Sequence, residues 1–128
     1  MIRTLALHHV SLLVSDTERA LDFYHGLLGL AIDDSRPDLG FPGAFLDVGN
    51  AQIHLLELAP GDVPAADGKH GGRDRHVALE VTDLEAVITG LERVGIAYTL
   101  SRSGRRAVFC RDPDGNAVEL LERGSGPG

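Results

Sequence analysis

The sequence contains two copies of one strand-to-helix pattern, and this internal repeat limits the folds that are open to the chain. The segment from His9 to Asp16 reads HVSLLVSD, and the segment from His76 to Asp83 reads HVALEVTD. Each copy alternates like a strand, reaches a Ser/Thr-Asp pair, and continues into a segment whose apolar residues have helical spacing. We therefore predict two equivalent modules whose first strands each direct one histidine at a common cavity.

The repeat also includes the last strand of each half. His76 follows His9 by 67 positions, and Glu119 follows His54 by 65 positions, in segments that read AQIHLLE and NAVELLE. A difference of two residues is an ordinary change in loop length. Four equivalent strand positions therefore carry side chains that bind metals well.

The periodicity predicts an α+β chain in which each module runs strand, helix and three strands. Module 1 is expected at about 5–58 and module 2 at about 75–122, within a single domain at 1–123. A linker rich in Gly, Pro, Ala and Asp joins them at 59–74, and a disordered tail is expected at 124–128. The predicted strands are 5–14, 30–36, 44–48, 51–58, 76–81, 96–100, 106–110 and 116–121; the predicted helices start at Ser15 or Asp16 and at Asp83 and stop at Gly29 and Gly95.

Composition excludes several classes of partner. A formal net charge of −7 and a pI near 5.2 argue against binding to nucleic acid or to an anionic membrane surface. Cys110 is the single cysteine, so no intrachain disulfide forms and a cytoplasmic location is expected. His8 and His9 interrupt the apolar N-terminal segment, so no signal peptide is expected, and no apolar run reaches membrane-spanning length.

Imidazole nitrogens with one carboxylate suit a borderline divalent ion. The expected cofactor is one zinc, nickel, cobalt, iron or manganese ion per site. Three or four protein ligands leave room for water or substrate on a five- or six-coordinate ion, which is the arrangement of a catalytic centre. Such an ion would polarise a carbonyl group or stabilise an enolate.

Several motifs together resemble the vicinal oxygen chelate superfamily, and the resemblance extends from about Leu5 to Glu122. That group includes glyoxalase I, extradiol dioxygenases, fosfomycin resistance proteins, methylmalonyl-CoA epimerase and bleomycin resistance proteins. The motifs are His9-x6-Asp16, Phe23-Tyr24 and Leu28-Gly29 after it, His76-x6-Asp83, and the closing segment Asp112-Pro113-Asp114-Gly115-Asn116-Ala117-Val118-Glu119.

The resemblance implies two βαβββ modules that form a cupped, partly closed, eight-stranded mixed sheet with flanking helices around a metal site, usually in a homodimer. It implies that His9, His54, His76 and Glu119 are the metal ligands. The position of His54 is usually a glutamate in glyoxalase I, so His54 is either a direct ligand or an acid or base beside the metal. The position of Leu13 usually carries an arginine that helps to hold glutathione.

The sequence therefore predicts a metal-dependent, glyoxalase-like enzyme of the lyase or isomerase type. It would act on a small oxygen-chelating substrate through an enediolate-like oxyanion, with Glu119 or His54 moving the proton. One alternative is an iron-dependent extradiol-type dioxygenase. Phe109 lies at about the position where such an enzyme is expected to carry a tyrosine close to the metal. Another is a non-catalytic, bleomycin resistance-like protein that binds a drug or metabolite.

The remaining candidate residues are expected to lie outside the metal site. His8 should face away from His9 on the first strand, His25 lies on a predicted helix, and His70 lies in the linker. Cys110 is interpreted as a small buried residue. Four arginines are expected to be solvated, although one at the rim of the cavity could bind an anionic substrate; they are Arg36, Arg73, Arg75 and Arg102.

Overall fold

The computed structural model describes residues 1–66 and 68–124. The chain divides into two compact units that meet between Val63 and Pro64, inside the predicted linker. That residues 1–123 form a single domain stays a prediction. The elements are β1 (His9–Val14), α1 (Thr17–Leu21), β2 (Ala31–Ile32), β3 (Gly43–Val48), β4 (Ala51–Glu57), β5 (His76–Val81), α2 (Leu84–Val94), β6 (Tyr98–Leu100), β7 (Ala107–Arg111) and β8 (Ala117–Glu122).

The first unit is a βαβββ module with a four-stranded mixed sheet in the order β1-β4-β3-β2. β1 runs parallel to β4, and the other neighbours are antiparallel. The Asp16 side chain accepts a hydrogen bond from the backbone N–H of Arg19 at 3.1 Å and so begins α1, as predicted. A π-helical turn at Asp22–Leu27 prolongs α1 before Gly29 takes a φ of 76°.

The second unit repeats this plan in the order β5-β8-β7-β6, with β5 parallel to β8. The Asp83 side chain caps α2 by accepting from the N–H of Ala86 at 3.2 Å, and Gly95 ends the helix with a φ of 77°. Both helix boundaries were predicted from the sequence. The predicted α+β class, with two βαβββ modules and eight strands, is confirmed among the described residues.

In each unit, the last strand packs apolar side chains in the core and turns alternate side chains to the other face of the sheet. Ile53 and Leu55 are 2% and 0% exposed on β4, and Val118 and Leu120 are 0% and 1% exposed on β8. Side chains alternate between faces along a strand, so this packing places His54 and Glu119 on the opposite face.

The final residue of each module also binds the start of its helix. Glu57 Oε1 accepts from the backbone N–H of Thr17 at 2.7 Å, and Glu122 Oε2 accepts from the N–H of Leu84 at 2.9 Å. A carboxylate at the first turn satisfies N–H groups that a helix leaves unpaired and complements the helix dipole. These equivalent contacts extend the repeat to a feature that the sequence analysis did not predict.

The strand boundaries depart from prediction mainly at the sheet edges. β2 covers Ala31–Ile32 instead of 30–36, because the chain turns at Asp33, whose carboxylate accepts from the N–H and the hydroxyl of Ser35. β1 begins at His9 instead of residue 5. Of the predicted disordered tail, residues 125–128 lie outside the described residues.

Among residues 1–66 and 68–124, no helix combines the length and the apolar character needed to cross a membrane.

Candidate metal centre

The first unit brings His9 and His54 together on one face of its sheet. Ser11 on β1 lies opposite His54 on β4, so His9 is a diagonal neighbour of His54 across the parallel pair. Their rings stack with centroids 4.0 Å apart and an interplanar angle of 16°. Two of the predicted ligands are therefore adjacent in this unit.

A third ring encloses His54 from the other side. Phe45 lies opposite His54 on β3, and the two rings stack at 3.6 Å and 11°. His54 is 8% exposed, and this burial is the main cause that lowers its pKa below the ordinary histidine value. Charge on His9, and then on other neighbours, lowers the pKa further. The lowered pKa favours the neutral form of His54, which is the form that binds a metal or accepts a proton.

A hydrogen-bond chain sets the tautomer of His54. The Gln52 amide nitrogen donates to Asp33 Oδ2 at 2.8 Å and to Asp47 Oδ1 at 2.9 Å, which turns Gln52 Oε1 toward His54 Nε2 at 2.8 Å. An amide oxygen only accepts, so His54 Nε2 donates and its Nδ1 keeps the lone pair. The sequence analysis missed Gln52, although its spacing of two residues from His54 on β4 puts it on the same face.

His8 also lies closer to this pair than was predicted. His8 Nδ1 and His9 Nδ1 are hydrogen-bonded at 2.8 Å, and the two rings meet edge to face at 5.0 Å. The prediction that His8 faces away was wrong, because β1 begins at His9 and the alternation of a strand does not extend to His8. His25 is separate, and its ring bonds the carbonyl of Leu30 at 2.8 Å.

The second unit brings His76 and Glu119 together in the same register. Glu119 on β8 lies opposite Ala78 on β5, two residues beyond His76. His76 Nε2 is 3.2 Å from Glu119 Oε1, and the two side chains are 25% and 11% exposed. The other ring nitrogen, Nδ1, lies 2.9 Å from the carbonyl oxygen of Asp74. A carbonyl only accepts, so Nδ1 carries a proton and Nε2 is the nitrogen available to a metal.

Arg111 holds the loop that presents this carbonyl. Its Nη1 donates to Asp74 Oδ2 at 2.8 Å and to the carbonyl of Gly115 at 2.8 Å, and its Nε and Nη2 donate to the carbonyl of Lys69 at 3.1 and 2.9 Å. The hydrogen bond from Arg111 to the Asp74 carboxylate is the main cause that lowers the pKa of Asp74. Arg111 thus acts on His76 through Asp74. The sequence analysis missed it, since the contact joins residues 37 positions apart.

Phe109 occupies in the second unit the position of Phe45 in the first. It lies opposite Glu119, and its ring meets the ring of His76 at 5.1 Å and 81°. His70 contacts the same ring at 4.8 Å, although it was predicted to be unrelated to the site. A cleft of about 240 Å³ adjoins Phe109 in this unit, bordered by residues 68, 69, 71, 96–99 and 109–111.

The four predicted ligands thus stand as two pairs, one in each unit. No cluster of three or more His, Cys, Asp or Glu side chains suited to a metal ion occurs in the part of the chain that the structure describes. Each pair nevertheless fits a metal in its chemistry. The first offers a neutral, buried imidazole beside a second imidazole, and the second offers an oriented Nε2 beside a buried carboxylate.

Comparisons with known proteins identify the family of the chain. The sequence model of the Glyoxalase/Bleomycin resistance protein/Dioxygenase superfamily matches residues 6–120. Glyoxylase I 4 of Arabidopsis thaliana is 31% identical over 128 residues, which cover 95% of this chain and 73% of that protein. The mitochondrial methylmalonyl-CoA epimerase of Homo sapiens is 29% identical over 127 residues, which cover 89% of this chain and 72% of that protein.

The fold has a counterpart among solved structures. A crystal structure of a glyoxalase family protein from Bacillus anthracis has a TM-score of 0.77 and 21% sequence identity, with 95% of this chain and 98% of that chain covered. At this level of identity, the likeness concerns the fold alone.

Proposed function

Since the chain belongs to the Glyoxalase/Bleomycin resistance protein/Dioxygenase superfamily, we propose that it is a divalent-metal-dependent enzyme of the lyase or isomerase type. Its substrate is a small molecule that offers two neighbouring oxygens, and its metal ligands are His9, His54, His76 and Glu119. The names of the two relatives, a glyoxylase and an epimerase, support this type of reaction. Fold alone does not select the chemistry, so the proposal depends on the residues of the site.

The contact between His76 and Glu119 is the observation that carries the proposal. With its proton on Nδ1, a neutral His76 turns the lone pair of Nε2 toward Glu119 Oε1, 3.2 Å away. An ionised carboxylate oxygen is also only an acceptor, so the two atoms repel each other unless a cation is shared between them. A proton can fill this role in the metal-free protein, and a divalent ion can replace it when both side chains are deprotonated.

The first unit contributes ligands of matching chemistry. Burial favours the neutral form of His54, and the bond to Gln52 leaves the lone pair on Nδ1. His9 stacks on the ring of His54 and is exposed. Three imidazole nitrogens and one carboxylate suit zinc, nickel, cobalt, iron or manganese better than calcium or magnesium. Each of the two units supplies two of these four groups.

A metal bound by these groups would act as a Lewis acid that stabilises negative charge on substrate oxygen. Glu119 is the proposed base, because the residue is 8% exposed and its carboxylate lies 3.2 Å from His76 Nε2. A carboxylate that lies close to the substrate carbon in a largely enclosed site can remove a proton there and return one. His54 Nδ1 is the second candidate to hold or move a proton, with Gln52 fixing its tautomer.

Leu13 bears on which substrate is used. It lies on β1 on the same face as His9 and carries no charge, where the resemblance to glyoxalase I calls for an arginine that holds glutathione. We therefore expect weak recognition of a glutathione adduct, and an anionic substrate would have to be held by another residue.

The reaction type can be tested by solvent isotope exchange. The metal-loaded protein is incubated in D2O with methylmalonyl-CoA, with a glutathione hemithioacetal and with a panel of 2-hydroxy and 2-oxo acids, and deuterium incorporation is followed by NMR. We expect incorporation next to a carbonyl in at least one compound, and its loss in Glu119→Gln. The matched control is Glu80→Gln, because Glu80 is an exposed glutamate on β5 of the same unit. This control should keep the exchange activity.

Two outcomes would contradict the proposal. Oxygen consumption with catechols under ferrous iron, without exchange in any compound, would support an extradiol-type dioxygenase. Saturable binding of ligands with neither exchange nor oxygen consumption would support a protein that only sequesters its ligand.

A further inference from the structure

Arg36 is a cation without a counter-ion among the described residues, and it contacts the Phe45 ring that stacks on His54. Its Cζ lies 5.3 Å from the centroid of Phe41 and 5.8 Å from the centroid of Phe45. Its Nη2 donates to the carbonyl of Phe41 at 2.9 Å. A Cβ at Gly43 would lie 3.0 Å from Arg36 Nη2, so the glycine leaves the space that the guanidinium uses. The side chain is thus held in place by contacts that do not neutralise its charge.

The nearby carboxylates do not pair with Arg36, although Asp34 and Asp38 are each two residues away. Asp38 accepts from the N–H of Gly40 at 2.9 Å, and Asp33 accepts from Ser35 and from Gln52. Within the described residues Arg36 has no ion pair, and its Nε is buried with no hydrogen-bond partner. The prediction that Arg36 is solvated was therefore wrong for this nitrogen. The enclosed Nε cannot be reached from solvent, so a ligand would accept from the terminal nitrogens of the guanidinium.

The position of Arg36 connects it to the proposed site. Phe45 contacts Arg36 on one side and stacks on His54 at 3.6 Å on the other, and His54 in turn stacks on His9. The charge of Arg36 is also one of the causes that lower the pKa of His54. A group bound by Arg36 would therefore lie in the same unit as two of the proposed metal ligands, with the Phe45 ring between Arg36 and His54.

We propose that Arg36 binds an oxyanion of the substrate, either a carboxylate or a phosphoryl group, and so restricts the enzyme to anionic substrates. The inference rests on the proposed function, because the oxyanion is taken to be part of the substrate. A guanidinium presents donors in a rigid plane that matches the oxygens of a carboxylate or phosphate. The cation–π contacts with Phe41 and Phe45 and the hydrogen bond to the carbonyl of Phe41 hold the guanidinium before the ligand arrives, which reduces the entropy lost on binding.

The test uses metal-free protein, so its result does not depend on the metal site. The Nε–H signal of Arg36 in ¹⁵N-labelled protein is titrated with acetate and with inorganic phosphate, against sodium chloride at equal ionic strength. The signal is assigned by its absence in Arg36→Gln. We expect a saturable shift with acetate or phosphate and none with chloride. Tighter binding of acetate would identify a carboxylate as the substrate group, and tighter binding of phosphate would identify a phosphoryl group.

Variants separate the guanidinium from net charge. Arg36→Gln should weaken binding of the preferred anion by about tenfold. Because the Nε–H signal is absent in this variant, binding is measured from the shift of the backbone amide signal of Phe41. Arg36→Lys keeps the charge but loses the planar donors. Its affinity for the anion should lie between those of the wild type and Arg36→Gln. Arg102→Gln, an exposed arginine in the other unit, makes the same change in net charge and should bind like the wild type.

The outcomes separate this inference from the proposed function. A shift with acetate and phosphate that equals the shift with chloride, or equal affinity in wild type and Arg36→Gln, would overturn the role of Arg36 while leaving the metal site intact. In the metal-loaded enzyme, Arg36→Gln should raise KM for the substrate found by exchange about tenfold, with a smaller effect on kcat. An unchanged KM would also overturn it.

Discussion

Replacing Glu119 with leucine should make the metal-free protein more stable and the metal-loaded protein less stable than the wild type. The Glu119 side chain is 11% exposed and lies 3.2 Å from His76, which is 25% exposed. A residue kept for metal binding is often a burden to the metal-free fold, because function and stability select different side chains. The proposed role of Glu119 therefore predicts effects of opposite sign in the two states.

The magnitude follows from burial and pairing. Leucine in a nearly enclosed position gains about 1–2 kcal/mol from additional apolar burial. Loss of a partly solvated ion pair costs about 0–1 kcal/mol, and His76 retains access to water. The metal-free variant should thus be about 1 kcal/mol more stable. With metal at about a hundred times its Kd, the wild type gains about 2.7 kcal/mol that the variant lacks.

Urea unfolding followed by circular dichroism, with EDTA and then with excess zinc or nickel, measures both effects. Glu80→Leu is the control, since Glu80 is exposed on β5 and pairs with Arg123 at 3.0 Å; it should keep the full gain from metal. If Glu119→Leu lowers the stability of the metal-free protein by 1 kcal/mol or more (about twice the scatter of surface substitutions), Glu119 is a structural residue and the reasoning fails.

Three further predictions concern the surroundings of the site. Arg111→Gln should free the Asp74 loop and weaken metal binding by about tenfold without unfolding the protein, measured by competition with a chromophoric chelator; unchanged affinity would show that Arg111 does not position the ligand. Hydrogen bonds from Arg106, and then from the N–H of Leu84, hold the pKa of Glu122 below its usual value, so its stabilising effect is present above about pH 4.5 and is lost as the pH falls through the lowered pKa. The difference in urea midpoint between wild type and Glu122→Gln should therefore narrow below that pH, and a constant difference would contradict the assignment. Burial raises the pKa of Cys110 to about 12, so iodoacetamide at pH 8 should alkylate it more than about tenfold slower in native than in urea-unfolded protein, and equal rates would refute its burial.

The sequence predicted those parts of the fold that depend on local periodicity and on capping residues. Asp16, Asp83 and Gly95 bound the helices as expected, because caps act over three or four residues. The repeat predicted that His54 and Glu119 occupy equivalent positions, and each does lie opposite a phenylalanine in the register of its sheet. Alternation along strands was sufficient for these assignments.

What the sequence did not predict depends on contacts between distant residues or on loops. Arg111 reaches Asp74 across 37 positions, and Gln52 reaches Asp33 across 19. No periodic pattern relates such pairs, so their link to the histidines could be found only from the structure. The misplacement of His8 has a different cause, because the alternating pattern was extended beyond the first residue of β1.

Arg36 shows the same limit in a functional setting. In the sequence it is one of several arginines that are expected to be solvated, and Asp34 and Asp38 are each two residues away. In the structure Phe41 and Phe45 hold its guanidinium away from those carboxylates. Which of two possible neighbours a long side chain contacts is decided by packing, and packing is not visible in composition or spacing.

The central claim, that His9, His54, His76 and Glu119 bind a divalent metal, is tested most directly by metal content. Protein saturated with zinc or nickel, dialysed and analysed by inductively coupled plasma mass spectrometry, should hold about one ion per chain. His76→Ala and Glu119→Ala should each lose it, while the control His25→Ala keeps it, since His25 bonds the carbonyl of Leu30 away from the pairs. Equal metal content in wild type, His76→Ala and Glu119→Ala would contradict the account.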